Sequence, residues 1–164
     1  MLRLRPLPAQ LTGFEPFYLI STWFQSGRIR PASGSWGSLA ALPICWILKA
    51  LGGTPLVLGF AVAMFFSGLW AVKRYLPYAA KADPSEVVID EVVGMALVWA
   101  FTPANSIFLA LAGFVFFRIL DSIKRGPVGW CDRNIKGAAG VIVDDVMAGF
   151  LAGLCVLILV RLFY

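Results

Sequence analysis

The chain has 164 residues, 60% of them hydrophobic and 14% charged, with a net charge of +5 and a mean hydropathy of +0.82. That composition excludes an ordinary soluble surface and points to a membrane, with a compact soluble helical domain as the alternative; the length suits one domain. Histidine is absent, which excludes His–metal sites, Ser-His-Asp triads and phosphohistidine chemistry, so any hydrolysis must run on carboxylates, hydroxyls, basic side chains and hard metals. The basic residues are scattered among apolar segments, a pattern that fits anionic lipid headgroups and no nucleic acid. Cys45, Cys131 and Cys155 are far apart and odd in number, so no disulfide framework is expected.

In chain order, residues 1–33 read as an N-terminal interfacial segment and 34–164 as a helical domain. Arg3 and Arg5 precede two prolines with no apolar core and cleavage site after them, so a lead-in segment is expected and not a signal peptide. The aromatic run 14–24 suits a short helix at the membrane interface or packed on the bundle. A basic and then Gly/Ser-rich loop, 28–38, feeds a helix at 39–51, and Gly52-Gly53-Thr54-Pro55 signals a turn. Residues 50–72 carry no charge for 23 positions and end in Lys73-Arg74, a transmembrane pattern.

Next comes DPSEVVIDEVVG, 83–94. Asp83 reads as an N-cap, Pro84 as the first helical residue and Glu86 as the closing member of a capping box, predicting a helix over 84–101. Capping leaves Asp90-Glu91 unexplained. Adjacent carboxylates at the mouth of an apolar helix are costly unless neutralised, and a divalent cation is the usual partner. A second helix is expected over 106–125 after the break Thr102-Pro103-Ala104-Asn105-Ser106. Gly126-Pro127 should end it, a polar loop should fill 126–143, and Asp144-Asp145 should open a last helix through Tyr164. Gly149 and Gly153 follow as a small-residue ridge that should face another helix.

The expected fold is all-α, a compact membrane bundle of four to five main helices plus the N-terminal segment. The basic residues fall on one side if the two hairpin turns lie on the other, and the positive-inside rule makes the basic side cytosolic. Lys49 and Arg161, at opposite-side helix ends, are expected to snorkel outward.

Two acid pairs at matching depth, Asp90-Glu91 and Asp144-Asp145, look like the walls of one divalent-metal site. Arg118, Asp121 and Arg125 share a helix face, either as an ion-pair ladder or as cations holding a phosphate at the headgroup plane. Gly34–Ser38 offers backbone N–H groups and hydroxyls to an anion, or is a plain loop with Ser38 as N-cap. Asp132-Arg133-Asn134 leads straight to the second acid pair. The spacing of Cys155 and Arg161 matches cysteine phosphatases, but the residues between them form an apolar helix and not a phosphate-cradling loop.

Five blocks in order, GSWGSLAALP (34–43), VVIDEVVGM (87–95), FRILDSIK (117–124), WCDRN (130–134) and GVIVDDVMAG (140–149), give the chain a close resemblance to the phosphatidylglycerophosphatase A family of bacterial membrane enzymes. The departures are Ser35-Trp36, Lys124-Arg125 and Gly137-Ala138; none removes an acid or Arg118. The resemblance implies a small helical domain that hydrolyses phosphatidylglycerophosphate to phosphatidylglycerol and inorganic phosphate with Mg²⁺. It would be a multi-pass protein of the bacterial cytoplasmic (inner) membrane, with its site on the cytosolic face. On that reading Asp90, Glu91, Asp144 and Asp145 would hold one or two Mg²⁺ ions. Arg118, Lys124 and Arg133, with Ser35 and Ser38, would bind the phosphate. Asp121 or Asp132 would orient or deprotonate the water, and Asp90 counts with them as catalytic; an aspartyl-phosphate route is the alternative. Two other classes remain, a small ion or solute carrier and a non-catalytic anionic-lipid-binding protein.

Overall fold

The computed structural model describes residues 2–103 and 106–163. Ala104 and Asn105 of the expected second turn, and Tyr164 at the expected helix end, lie outside the described residues. The first turn is where the longest helix breaks. Helix α2 (Ser33–Tyr75) has non-helical backbone at Gly53, φ 64° and ψ −158°, a region open to a residue without Cβ; Pro55 then suits the first turn of the second limb.

The two limbs of α2 run in opposite directions along α3 (Ile89–Phe101). Gly37 lies against Val88 just before α3, and Gly68, in the second limb, is back beside Ile89. At the far end, Lys49 Nζ and Thr54 Oγ1 donate to the Ala100 carbonyl at 3.0 and 3.3 Å. Helix α4 (Ile107–Ile123), N-capped by the Ser106 hydroxyl, returns antiparallel to α3, with Gly113 against Val98 and Phe117 against Gly94. Helix α6 (Gly137–Phe163) runs with α3, Gly149 meeting Gly94 and Gly153 meeting Phe101. Helix α3 is therefore the central rod, and Ile89, Val92, Met95, Ala96 and Val98 are fully buried. The fold is all-α, as expected.

The outer faces are apolar. On α4, Phe108, Leu111, Val115 and Ile119 recur at helical spacing and are exposed. Two helical stretches, Ser33–Tyr78 and Gly137–Phe163, are long and apolar enough to cross a membrane. The 27 residues of α6 span about 40 Å at 1.5 Å per residue, more than a hydrocarbon core of about 30 Å.

The N-terminal segment folds onto the bundle. Helix α1 (Pro16–Ser21) buries Tyr18, whose ring meets Tyr75 edge-on at 5.4 Å, and Trp23 packs on Phe60 at 6.2 Å. Of the two placements open for 14–24, this is packing on the bundle, with Phe14 and Phe24 left exposed. Strands β1 (Arg3–Leu4) and β2 (Ile29–Arg30) pair antiparallel beside it.

Five local expectations are corrected. Helix α2 begins at Ser33 and not at 39, so the second half of the expected loop 28–38 is helix and Ser38 lies inside it. Helix α3 begins at Ile89 and not at 84, and Asp83 and Glu86 do not cap it. The Val88 amide is instead tied to the Ser21 carbonyl at 2.9 Å. Glu86 accepts from Tyr75 Oη at 2.6 Å and pairs with Arg5. The polar loop at 126–143 is mostly helix. Lys124, in the left-handed region at φ 47°, closes α4, and Pro127 then starts α5 (Gly126–Asn134), since a proline that cannot continue one helix suits the first turn of the next. Helix α6 begins at Gly137, so Asp144 and Asp145 lie about two turns inside it. Lys49 does not snorkel outward, because the carbonyls of Trp99 and Ala100 at the end of α3 accept from its ammonium at 3.2 and 3.0 Å, a favourable place for a cation.

Candidate active site

At the end of the bundle opposite the turns lies a cavity of about 560 Å³. Three of its carboxylates meet because two helices cross closely. A Cβ on Gly149 would run into the Gly94 backbone, and one on Gly94 would come 3.0 Å from the Asp145 carbonyl. Without side chains at that crossing, α6 brings Asp145 to Asp90 and Glu91 in the first turn of α3. One carboxylate oxygen from each of Asp90, Glu91 and Asp145 lies within 4.8 Å of the others. Asp90 and Asp145 are buried, and the Glu91 side chain is 12% exposed.

Three carboxylates this close repel one another and lose hydration. Arg118, on α4, is the nearest cation, with Nη1 3.1 Å from Asp121 and 3.7 Å from Glu91. One guanidinium is not enough. The lining holds seven carboxylates, including Asp83 at the edge, against three cations, Arg118, Lys124 and Lys136, so an anion could enter only with further positive charge. Within that cluster, Glu91 Oε2 is buried without a hydrogen-bond partner. An orphaned hard oxygen among other carboxylate oxygens is what a small divalent cation requires, and the residues present fit one.

Asp144 points elsewhere. Lys124 Nζ donates to its Oδ2 at 2.7 Å and to Asp132 Oδ1 at 2.6 Å. Burial alone would lower the Lys124 ammonium, but the hydrogen bonds to Asp132 and Asp144 outweigh it and hold the ammonium above its ordinary value. Lys124 in turn holds the Asp132 carboxyl below the usual carboxylate range. Both stay charged near neutral pH.

Of the residues singled out from the sequence, Asp90, Glu91, Arg118, Asp121, Lys124, Asp132, Asp144 and Asp145 all line this cavity, while Ser35, Ser38 and Arg133 do not. The buried Ser38 hydroxyl donates back to the Gly34 carbonyl at 2.9 Å, and Arg133 is exposed on α5. Sequence reasoning missed Ser33, Ser122 and Lys136 in the lining, and the role of Gly34. A Cβ on Gly34 would run into Glu91 Oε1 and approach the Arg118 guanidinium to 3.0 Å, so the first turn of α2 is itself a wall. The Gly/Ser run pointed there, though to its hydroxyls and not to its lack of a side chain.

A family model described as phosphatidylglycerophosphatase A matches residues 19–160. The chain belongs to that family. It is 34% identical over 138 residues to the phosphatidylglycerophosphatase A of Haemophilus influenzae, covering 84% of this chain and 85% of that protein. To the Escherichia coli protein of the same name it is 32% identical over 142 residues, 84% and 80% of the two chains. A Bacteroides thetaiotaomicron protein, provisionally named a phosphatidylinositol-3-phosphatase, is 38% identical over 141 residues, 80% and 85% of the two. No solved structure matches. The membership agrees with the resemblance carried by the five sequence blocks and makes the chain a phosphatase, a phosphoric monoester hydrolase.

Proposed function

We propose that this protein hydrolyses the terminal phosphate monoester of phosphatidylglycerophosphate at the bundle-end cavity, with a divalent cation, Mg²⁺, held by Asp90, Glu91 and Asp145. The observation that carries this reading is the convergence of those three carboxylates with Arg118 and Lys124 in one cavity. When bound, the ion supplies the positive charge that lets a phosphate dianion enter an acid-rich site. Arg118 and Lys124 bind the phosphoryl oxygens and neutralise them as charge redistributes in a loose transition state. Asp121, fixed by Arg118 at 3.1 Å, orients the attacking water and accepts its proton; Asp132 is the alternative at the rim. The water oxygen bonds to phosphorus, the ester P–O bond breaks and the glycerol oxygen takes up a proton from solvent as Asp121 releases the one it accepted, giving phosphatidylglycerol and inorganic phosphate.

We further place the protein in the bacterial inner membrane as a multi-pass protein with this cavity on the cytosolic side. The apolar outer faces support that reading, as does the basic character of the cavity end, with Lys73, Arg74 and Arg125 all exposed there. Substrate and product are membrane lipids, so a site at a helix-bundle end is where a headgroup would reach it.

The experiment is phosphate release from phosphatidylglycerophosphate in detergent micelles, with Mg²⁺ or excess chelator, beside a phosphatidylinositol monophosphate. Mg²⁺-dependent release, faster from phosphatidylglycerophosphate, is expected. Release that persists in chelator would overturn the cation assignment; release only from the inositol lipid would overturn the substrate.

A further inference from the structure

The neighbouring aspartates of α6 face different partners. Consecutive helical residues diverge by about 100°, and here that angle separates two tasks. Asp145 points at Asp90 and Glu91. Asp144 points toward the α4–α5 junction, where Lys124 Nζ lies 2.7 Å from its Oδ2 and 2.6 Å from Asp132 Oδ1. The second oxygen of Asp144 is buried without a partner, and Asp144 is outside the group of three carboxylates that lie within 4.8 Å.

We propose that Asp144 is a positioning residue for Lys124, holding its ammonium toward the cavity as a phosphate-binding cation, and is not one of the ligands of the divalent cation. The proposal rests on the function proposed above and divides its machinery. An ammonium has three donors. Asp132 and Asp144 occupy two of Lys124's, and the third remains for an oxyanion in the cavity that Lys124 lines. The two carboxylates also differ in exposure, 39% for the Asp132 side chain and 6% for Asp144. Asp144 is the fixed anchor and Asp132 the wetter, outer one. The left-handed conformation of Lys124 starts its side chain from the end of α4, and a long flexible stem needs such anchors to hold one direction.

The test uses the full chain in detergent, with Mn²⁺ as the cation probe and inorganic phosphate as the anion probe. Asp144→Asn is expected to keep the Mn²⁺ dissociation constant, read by calorimetry or electron paramagnetic resonance, within about twofold. Its KM and the phosphate inhibition constant should rise about tenfold, the scale of one charge-assisted hydrogen bond, with kcat changing less. Asp145→Asn should instead weaken Mn²⁺ binding by more than about tenfold. Lys124→Ala should reproduce the phosphate defect, and the double variant should be no worse than either single one, because both remove the same interaction. If Asp144→Asn loses Mn²⁺ as Asp145→Asn does, or leaves phosphate inhibition unchanged, the proposal is overturned. If neither aspartate variant alters Mn²⁺ binding, the failure lies with the cation reading of the cluster, and the phosphate measurements alone decide the role of Asp144.

Discussion

Asp90, Glu91 and Asp145 form a strained electrostatic cluster, since like charges in a buried group raise the free energy of the fold. That gives a signed prediction for stability as well as for rate. Without divalent ions, Asp145→Asn should melt no lower than the parent, because it removes a repelling charge and keeps the shape. Adding Mn²⁺ at 100 times its dissociation constant should stabilise the parent by about 2.7 kcal/mol and the variant far less, while phosphate release falls more than about a hundredfold. A variant that melted well below the parent and still responded to Mn²⁺ would remove the cluster from the site. The Lys124–Asp132 pair should behave differently. Asp132 is depressed, so its contribution is present above the ordinary carboxylate value of about 3.9 and is lost as pH falls through the lower folded one. Lys124 is raised, so its contribution is present below about 10.4 and is lost as pH rises through the higher folded value. The stability difference between the parent and Lys124→Gln should therefore be flat from about pH 5 to 9 and shrink below about pH 4. A step near neutrality in denaturation midpoints would contradict the assignment.

The elements act through the faces they can bring close. The α3–α6 crossing depends on Gly94 and Gly149: a Cβ on Gly149 would run into the Gly94 backbone, which cannot swing aside as a side chain can, and one on Gly94 would meet the Phe117 ring as well as the Asp145 carbonyl. Gly149→Ala should destabilise by about 1–3 kcal/mol. It should also shrink the Mn²⁺-induced rise in melting temperature, because it moves Asp145 away from Asp90 and Glu91; a full Mn²⁺ response in a destabilised variant would separate the crossing from the site. Gly34→Ala makes the converse case. There the obstacles are the ends of the Glu91 and Arg118 side chains, which can move, so melting should stay near the parent value while phosphate release drops about tenfold or more. Helix ends were the least legible part of the sequence. Asp83-Pro84 has the composition of a helix start, yet Val88 is held by the Ser21 carbonyl and Glu86 by Tyr75 and Arg5, long-range partners that no local pattern contains.

Across the whole molecule, polarity is segregated by height. The carboxylate cluster and its cations occupy one end, the turn at Gly53 and the end of α3 the other, and the outward faces between them are apolar. Val115, exposed midway along α4, tests whether that belt meets lipid. Val115→Lys should cost about 2.5–3.5 kcal/mol on insertion and reduce the share of protein in the membrane fraction. An equal yield in that fraction would show that this face of α4 is not buried in the bilayer.

Composition, the Gly-Gly-Thr-Pro turn and the acid pairs were enough to read from the chain a helical membrane-type bundle with its acids at one end. Those features depend on local periodicity and on solvation, which act on each segment by itself. What the tertiary structure alone decided is which acids meet. Neighbours on a helix point about 100° apart, and the sequence makes Asp144 and Asp145 look equivalent. The close glycine crossing turns Asp145 toward α3, and the left-handed end of α4 delivers Lys124 to Asp144. The true start of α3 was likewise settled by packing, through hydrogen bonds between residues far apart in the chain.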